Sequence, residues 1–336
     1  MITGAPDFWS RPPGFAARLL TPFGGVWHAF GHLHRAFSHP YQAPVPVICV
    51  GNLVAGGAGK TPVVLSLADW FTARGVSATV VTRGYGGTLA GPLRIDPQRH
   101  VSREVGDEAL LIAERTPCWI ARNRAQGVRA AALSGADTIL LDDGFQNPTV
   151  DKTLSLIVVD AAYGFGNGRV IPAGPLREGL TSGLARAAAV VLIGVGPVPA
   201  AVNDRQQILR ATLEPLEGWR FAGRPLVAFA GIGRPEKFFA MLRGIGAQVV
   251  ATRAFPDHHP YIVDEIDALR RAADRAGAQL VTTKKDIVRV PPDLRGGIEV
   301  LEVEVRWTDP AALERLVAPI VRAASGHDRD PAAQDR

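Results

Sequence analysis

The sequence predicts an α/β protein with two units, a larger and a smaller one, each built on a mainly parallel sheet. Three observations lead to this fold class. Apolar segments with strand and helix periodicity alternate along the chain, a glycine-rich loop follows the first strand, and the alternation restarts near residue 224. Such alternation places helices on both faces of a parallel sheet, and ligands gather at the carboxyl ends of its strands. We therefore expect the functional residues at those ends.

Composition sets the outer limits. With 336 residues, 47% of them hydrophobic, the chain has enough length for about two domains, which excludes a largely disordered protein. The two cysteines, Cys49 and Cys118, lie far apart in apolar contexts, which favours a reducing compartment such as the cytoplasm over disulfides or a zinc site. No apolar run reaches the ~18 to 20 residues of a spanning helix. The net charge of +5 indicates an anionic partner: a phosphate-bearing substrate, a lipid surface or nucleic acid.

Residues 1–42 are predicted to form an amphipathic N-terminal region. Large apolar residues recur between positions 15 and 37 with nearly helical period, and basic residues lie off that stripe. We expect two short helices, because Pro22, Gly24 and Gly25 interrupt the pattern. The residues lack the arrangement of a secretory signal, so we expect the region to remain in the mature protein. Two interpretations stay open: membrane-associating helices in the headgroup layer, or helices packed against the protein's own core.

Residues 43–207 are predicted to form the larger unit. Its predicted helices include 62–74, which Pro62 opens, and 108–114. Its predicted strands are 45–50, 78–82, 117–120, 138–141, 154–159 and 189–193.

Residues 208–322 are predicted to contain linker strands and a smaller α/β/α unit. Segments 208–213 and 298–305 alternate like exposed strands and are predicted to pair as a two-stranded linker. The small unit is predicted to contain strands 226–230, 248–252 and 279–282 and helices 235–243 and 263–276. The polar residues 323–336 are predicted to be a disordered tail.

The glycine-rich loop is the strongest single signal in the chain. Backbone N–H groups in such a loop converge on phosphate oxygens, Lys60 reaches the β and γ phosphates, and the Thr61 hydroxyl binds Mg²⁺. Val54 replaces the usual first glycine, and the alternative is a loop that merely connects a strand to a helix. The sequence thus predicts a domain like that of P-loop NTPases, with nucleotide phosphates bound by Val54, Ala55, Gly56, Gly57, Ala58, Gly59, Lys60 and Thr61.

A pair of aspartates follows the predicted strand 138–141. Asp142 and Asp143 fall at the ligand edge of the sheet, where a carboxylate holds Mg²⁺ in nucleotide-binding proteins. Gln146, in the turn that follows, can reach the same metal or its waters. An isolated Asp-Asp pair after a strand is more often a turn or a helix cap, but its combination with a phosphate loop favours a metal site.

Three further clusters carry polar residues toward the same edge. Glycines surround Arg83 and Tyr85 after a strand, and Arg177 follows a rigid Gly-Pro turn. Asp107 stands at a predicted helix start, where a carboxylate also simply complements the helix dipole. In the smaller unit, His258 and His259 lie in one loop, and His258 can partner a carboxylate of the larger unit if the cleft between the units closes. The sequence does not choose between the two imidazoles.

Taken in order, these motifs resemble the tetraacyldisaccharide 4′-kinase (lipid A 4′-kinase) family. The resemblance spans about residues 12–307. The segments that carry it are 51–62, 83–86, 105–108, 142–146, 173–178, 231–239, 255–258 and 282–286. It implies two α/β/α domains joined by a two-stranded linker.

The resemblance also implies an activity. This is transfer of the ATP γ-phosphate to the 4′-hydroxyl of lipid A disaccharide 1-phosphate, giving lipid IVA, with Mg²⁺, peripherally at the cytoplasmic face of the bacterial inner membrane. The implied roles are ATP and metal binding by Lys60 and Thr61, metal binding by Asp142, Asp143 and Gln146, proton acceptance by Asp107 paired with His258, and substrate contact by Arg83, Tyr85 and Arg177.

Two other classes of function share single features with this chain. A GTPase or nucleotide-driven metal chaperone has the same loop, and residues 283–286 faintly resemble a guanine-reading N-K-x-D element. Against it, no D-x-x-G follows the aspartate pair, and Ala55 replaces the lysine of the deviant loop. A nucleic-acid-binding module would suit the basic charge, but the chain lacks clustered basic and aromatic residues, so we expect no nucleic-acid partner.

Overall fold

The computed structural model describes residues 6–203 and 206–325. Its helices are α1 (Phe15–Ala36), α2 (Lys60–Thr72), α3 (Ser102–Val105), α4 (Asp107–Ala113), α5 (Arg124–Leu133), α6 (Leu180–Leu184), α7 (Pro235–Gly244), α8 (Val263–Arg275), α9 (Lys284–Ile287) and α10 (Pro310–Ser325). Its strands are β1 (Val47–Gly51), β2 (Ala78–Thr82), β3 (Leu93–Arg94), β4 (Cys118–Ile120), β5 (Thr138–Asp142), β6 (Leu154–Asp160), β7 (Ala189–Ile193), β8 (Gln207–Pro215), β9 (Pro225–Ala230), β10 (Gln248–Ala254), β11 (Gln279–Thr283), β12 (Ile298–Leu301) and β13 (Val303–Trp307).

Two sheets confirm the predicted α/β class. In the described chain, the larger sheet has nine strands in the order β13-β8-β7-β6-β1-β5-β2-β4-β3. Its strands from β8 to β4 run parallel, whereas the edge strands β13 and β3 are antiparallel to their neighbours. The central strands β1 and β5 are fully buried because helices cover both faces. Their register pairs Val50 with Asp142, so the end of β5 lies beside the loop that follows β1.

The smaller sheet has four parallel strands in the order β10-β9-β11-β12 within the described residues. Alternate residues of β9 face opposite sides. Leu226 and Ala228 pack with Phe239 of α7, while Val227 and Phe229 pack in a cluster on the other face that includes residues of α8. The smaller unit therefore has a hydrophobic core of its own on each face of its sheet.

The N-terminal helix differs from the prediction. The two expected short helices are one continuous helix, α1, which contains Pro22. A proline removes a single hydrogen-bond donor, a loss that a solvated surface helix tolerates because water reaches the freed carbonyl. Gly24 serves packing, since a Cβ there would lie 2.9 Å from the carbonyl oxygen of Val170. The prediction of a break was therefore wrong.

The linker also differs in detail. The predicted strand 298–305 is two strands: β12 joins the small sheet in parallel with β11, and β13 pairs antiparallel with β8 at the edge of the large sheet. Glu302 separates them. The alternation of side chains signals strands but not their partners, so the switch between sheets was not visible in the sequence.

The chain returns to the larger unit at its end. Leu313 and Val317 of α10 are buried in the same cluster as Ile48 and Val50 of β1. Residues 208–322 are therefore distributed over both units, and the division at residue 208 stays a prediction. Helix α10 extends to Ser325, three residues into the predicted disordered tail. Residues 326–336 of that tail lie outside the described residues.

Candidate active site

The phosphate loop is held from both sides. Gly56 and Gly59 have φ values of 111° and 88°, which L side chains rarely adopt, and α2 begins directly afterwards at Lys60. The Asn52 amide donates to the Gly56 carbonyl at 3.1 Å, and the Ala55 N–H donates to the carbonyl of Pro175 at 2.7 Å. A loop and helix start fixed in this way present their remaining N–H groups to an anion.

The two aspartates have opposite electrostatic environments. Asp142 is fully buried, and its burial and the charges of Glu108 and Asp143 raise its pKa to about 7. Asp143 lies 2.7 Å from Arg177 Nη1 and 3.7 Å from Lys60 Nζ. Although burial opposes ionisation, the charges of Lys60 and Arg177 outweigh it and lower the pKa of Asp143. The sequence analysis predicted the same role for both residues. In the structure, the pKa of Asp142 is raised and that of Asp143 is lowered.

The aspartate pair fits a divalent cation. Thr82 Oγ1 donates to Asp142 Oδ2 at 3.3 Å, but Asp142 Oδ1 is buried without a hydrogen-bond partner. A buried carboxylate oxygen without a hydrogen-bond partner, close to other negative charges, is a suitable ligand for a cation. Over residues 6–203 and 206–325, no three His, Cys, Asp or Glu residues gather into a group able to hold a metal. Mg²⁺ commonly needs only one or two carboxylates, together with waters and phosphates.

Gln146 lies beneath the phosphate loop. Its Nε2 donates to the Asn52 carbonyl at 2.9 Å and to Glu178 Oε1 at 3.1 Å. Its Oε1 lies 3.5 Å from Arg177 Nη1. The side chain therefore connects the base of the loop with the segment that carries Arg177, and its contact with a metal stays a prediction.

Asp107 and His258 meet across the two units. The carboxylate begins α4, directly after Gly106, whose φ is 91° and where a Cβ would lie 2.4 Å from the Tyr85 carbonyl oxygen. His258 Nδ1 lies 2.9 Å from Asp107 Oδ2. Asp107 is almost fully buried, whereas the His258 side chain is 37% exposed and lines the cavity between the units. The imidazole is thus the member of the pair that faces the cavity.

The contact shifts both pKa values in the direction of an ion pair. The hydrogen bond to Asp107 raises the pKa of His258 above its ordinary value of 6.5. Burial would raise the pKa of Asp107, but the hydrogen bond and charge of His258, together with Arg289, lower it. Arg289 Nε lies 3.4 Å from Asp107 Oδ2. The pair therefore retains its proton on the imidazole over a wider pH range than a free histidine would.

The structure distinguishes the two imidazoles. His259 Nε2 lies 2.8 Å from Glu265 Oε2, and the same carboxylate accepts the Ile262 N–H at 3.2 Å at the start of α8. His259 thus contacts a helix-capping residue, and only His258 contacts Asp107. Tyr85 is 71% exposed, with its ring centroid 5.6 Å from that of His258.

Residues 283–286, which faintly resemble a guanine-reading element in sequence, have a structural role in the small unit. Asp286 is fully buried, and its Oδ1 accepts hydrogen bonds from the Gly231 N–H at 2.8 Å, the Tyr261 hydroxyl at 2.7 Å and Arg289 Nη2 at 2.9 Å. A carboxylate enclosed by these donors does not read a base. This arrangement disfavours the GTPase hypothesis.

The phosphate loop, the aspartates and His258 line a single cavity of about 2180 Å³. Arg122 and Arg124 also line this cavity, and the sequence analysis did not identify them. Arg124 is 4% exposed, donates from Nη1 to the Ala121 carbonyl at 2.7 Å, and leaves Nε without a partner. Isolated arginines have no diagnostic spacing, and only their position at the cavity marks them as candidates for binding anions.

Ion pairs between the units surround this cavity, and the sequence did not predict them either. Acids come from the larger unit and cations from the smaller one, as in Glu108 with Lys285, Glu114 with Lys284, and Asp160 with Arg234 and Lys237.

Comparison with known proteins agrees with this geometry. The sequence model of the family described as tetraacyldisaccharide-1-P 4′-kinase matches residues 16–322. A tetraacyldisaccharide 4′-kinase of Rhodospirillum centenum is 52% identical, covering 96% of this chain and 98% of the relative. That of Rhodospirillum rubrum is 50% identical, covering 94% and 98%. The crystal structure of "apo" form LpxK from Aquifex aeolicus in complex with ATP has 26% identity and a TM-score of 0.74, covering 91% and 99%. The chain therefore belongs to the tetraacyldisaccharide-1-P 4′-kinase family.

Proposed function

We propose that this protein transfers the γ-phosphate of ATP to the 4′-hydroxyl of lipid A disaccharide 1-phosphate, which yields lipid IVA. One observation carries the proposal: a carboxylate–imidazole pair, Asp107 and His258, reaches the same cavity as the phosphate loop and the two aspartates. Phosphoryl transfer to a hydroxyl needs a bound triphosphate, neutralisation of its charge and a proton acceptor for the nucleophile.

The phosphate side of the cavity supplies the first two requirements. Loop N–H groups and the start of α2 bind the phosphates, with Lys60 directed at the β and γ groups. Thr61, Asp142 and Asp143 would hold Mg²⁺, which neutralises phosphate charge when it is bound. Arg177 lies 2.7 Å from Asp143 and lines the same cavity, and its guanidinium is proposed to contact the substrate or the transferred phosphate.

The pair supplies the third requirement. Hydrogen bonding to Asp107 uses Nδ1 of His258 and leaves Nε2 as the ring nitrogen for a substrate hydroxyl. Asp107 stabilises the positive charge that the ring acquires with the proton. Because the two groups interact strongly, they titrate as a unit, and we assign proton acceptance to the pair. Arg83 and Tyr85, both exposed at the cavity, are proposed to contact the disaccharide.

The raised pKa of His258 predicts a pH dependence. A protonated pair does not accept a proton, so kcat is expected to rise with pH as His258 loses its proton. Because the pKa of His258 is raised, this rise should occur at a pH above 6.5, the ordinary pKa of histidine. The Asp107→Asn change removes the main cause of the shift, and the pKa of His258 should then fall. Titration of the His258 ring by NMR in both proteins, beside a kcat profile of the wild type, measures this. An unchanged His258 titration in the variant would contradict the assignment.

Helix α1 offers a surface for a lipid bilayer. A stripe of aromatic and aliphatic side chains along the helix is exposed, with values from 56 to 83%, and continues at Phe37 directly after it: Phe15, Leu19, Phe23, Val26, Trp27, Phe30, Leu33 and Phe37. Within the described parts of the chain, none of the helices combines the length and apolarity needed to cross a membrane. A substrate with several acyl chains stays in the bilayer, because each buried methylene contributes about 0.8 kcal/mol. We propose that α1 places the protein peripherally on the cytoplasmic face of the inner membrane.

This proposal predicts the effect of two substitutions. The combined change Phe23→Ser and Phe30→Ser is expected to lower vesicle binding by about 100-fold or more, because inserted aromatic side chains contribute roughly 1.5 to 3 kcal/mol each when fully buried. Co-sedimentation with phospholipid vesicles measures it. Leu133, which is 83% exposed on α5, provides the control: Leu133→Ser should bind like the wild type. Full retention by the double variant would show that the bilayer does not cover these rings.

The activity itself has a direct test. The purified chain is incubated with Mg-ATP and a lipid A disaccharide 1-phosphate, and the expected product carries a second phosphate at the 4′ position. GTP in place of ATP should be a poor donor. Hydrolysis of nucleotide without phosphorylation of the lipid would reject the proposed kinase activity.

A further inference from the structure

Helix α1 contacts three consecutive residues of the larger unit, 177–179, through its inward face and through the indole of Trp27, which borders that face. Positions 24, 28 and 35 lie on one face of the helix, since seven residues make nearly two turns and four make about one. The contacts are Trp27 Nε1 with the Arg177 carbonyl at 3.0 Å, Arg35 Nη1 with Glu178 Oε2 at 3.3 Å, and the Gly179 N–H with His28 Nδ1 at 3.1 Å. The helix with the exposed apolar stripe is thus bonded to segment 177–179.

Segment 177–179 reaches the phosphate site by two routes. The Arg177 guanidinium donates to Asp143 Oδ1 at 2.7 Å. Glu178 Oε1 accepts from Gln146 Nε2 at 3.1 Å, and the same Nε2 donates to the Asn52 carbonyl at the base of the phosphate loop. A displacement of the segment would therefore move a cation at Asp143 and release a contact beneath the loop.

Glu178 is the centre of this connection. Its side chain is 4% exposed, and two cations contact its Oε2, Arg186 at 2.5 Å and Arg35 at 3.3 Å. Arg35 comes from α1, whereas Arg186 lies a few residues further along the chain from Glu178. A buried carboxylate that loses one of two cations keeps a charge that is less well compensated. Loss of Arg35 would leave Glu178 bonded to Arg186 and free to turn about that contact, away from Gln146.

We propose that Arg35 is a positioning residue for phosphoryl transfer, acting through Glu178 on Gln146 and Arg177. The position of α1 on segment 177–179 then determines how the charges around Asp143 are arranged. A helix that rests on a lipid surface is thereby coupled to the site where the lipid is phosphorylated. The inference rests on the proposed kinase activity.

The test separates positioning from membrane attachment. Kinase activity is measured with lipid substrate dispersed in detergent micelles, where attachment to a bilayer is not needed. Arg35→Ala is expected to lower kcat about 10- to 100-fold, with a much smaller change in the KM for ATP, since small misplacements of reacting groups have effects of this size. Arg35→Lys, which retains the charge, should recover part of kcat. The matched control is Arg18→Ala, which removes the same charge from an exposed position of the same helix and should retain the wild-type kcat.

A double-mutant cycle tests whether Arg35 acts on kcat through Glu178, because two residues with separate structural roles would have additive effects on kcat. In a Glu178→Gln background, the additional Arg35→Ala change should alter kcat less than about twofold, because the connection is already broken. Should Arg35→Ala not fold, Glu178→Gln alone tests the same connection and is expected to lower kcat. Wild-type kcat in Arg35→Ala, or a full additional loss in the double variant, would overturn the inference. An inactive wild-type chain would instead reject the proposed function.

Discussion

Asp107→Asn is expected to lower kcat for phosphate transfer to the lipid by about 10²- to 10⁴-fold, the range for loss of general base catalysis. The amide keeps the shape of the carboxylate but not its charge, so it no longer stabilises a protonated imidazole 2.9 Å away. The KM for ATP should change little, because Asp107 is proposed to act on the substrate hydroxyl and not on the nucleotide phosphates. Steady-state kinetics with labelled ATP and the lipid acceptor measure both constants.

The smaller unit contains a matched control for this change. Glu265 and His259 form another carboxylate–imidazole contact, at 2.8 Å, that belongs to the start of α8. Glu265→Gln therefore makes the same chemical change to a similar pair, and it should leave kcat at the wild-type value. Wild-type turnover in Asp107→Asn, with the fold intact by circular dichroism, would remove the pair from the mechanism.

Lys60→Met should have the second large effect, a loss of about 10²- to 10³-fold in kcat, as for the removal of one preorganised charge from a transition state. The thioether fills the space of the lysine stem without its charge. Asp143 would retain Arg177 at 2.7 Å, so the carboxylate remains paired and the fold should survive. Because Lys60 is proposed to contact phosphates whose charge shifts during transfer, the loss should appear mainly in kcat.

Two further variants define the cause of that loss. Lys60→Arg retains the charge in a larger group and should recover little activity, since an ammonium and a guanidinium differ in geometry. Arg99→Met removes a cation from the exposed surface of the same unit and is expected to retain wild-type kcat. Turnover of Lys60→Met comparable with that of Arg99→Met would mean that the loop does not hold the triphosphate as proposed.

Local features of the chain were predictable where consecutive residues define them. The strand, glycine loop and helix around residues 54–61 form one continuous stretch, so their order alone predicts the cradle, and the structure places α2 at Lys60. The same applies to Asp142 at the end of a buried strand. Of the predicted strands, 78–82 and 189–193 match β2 and β7 in both bounds. In each case the periodicity of side chains is a local property of the sequence.

Predictions failed where the outcome depended on distant neighbours. Segment 298–305 was predicted as one strand, but each half pairs with a different sheet. Helix α1 was predicted as two helices, because the packing of Gly24 against Val170 was not apparent from local residue preferences. The burial of Asp286 among three donors likewise depends on residues far along the chain. Local rules describe which conformations a segment favours, not which partner it meets.

The sequence by itself determined the α/β class, and it predicted the phosphate loop and the residues proposed to hold a cation, because each of these follows from short-range order along the chain. Only the tertiary structure decided that His258, and not His259, meets Asp107, that the two aspartates differ in pKa, and that α1 is bonded to segment 177–179. The physical reason is that burial, charge and hydrogen bonding depend on groups 150 or so residues apart, such as Asp107 and His258, which come together only when both units fold.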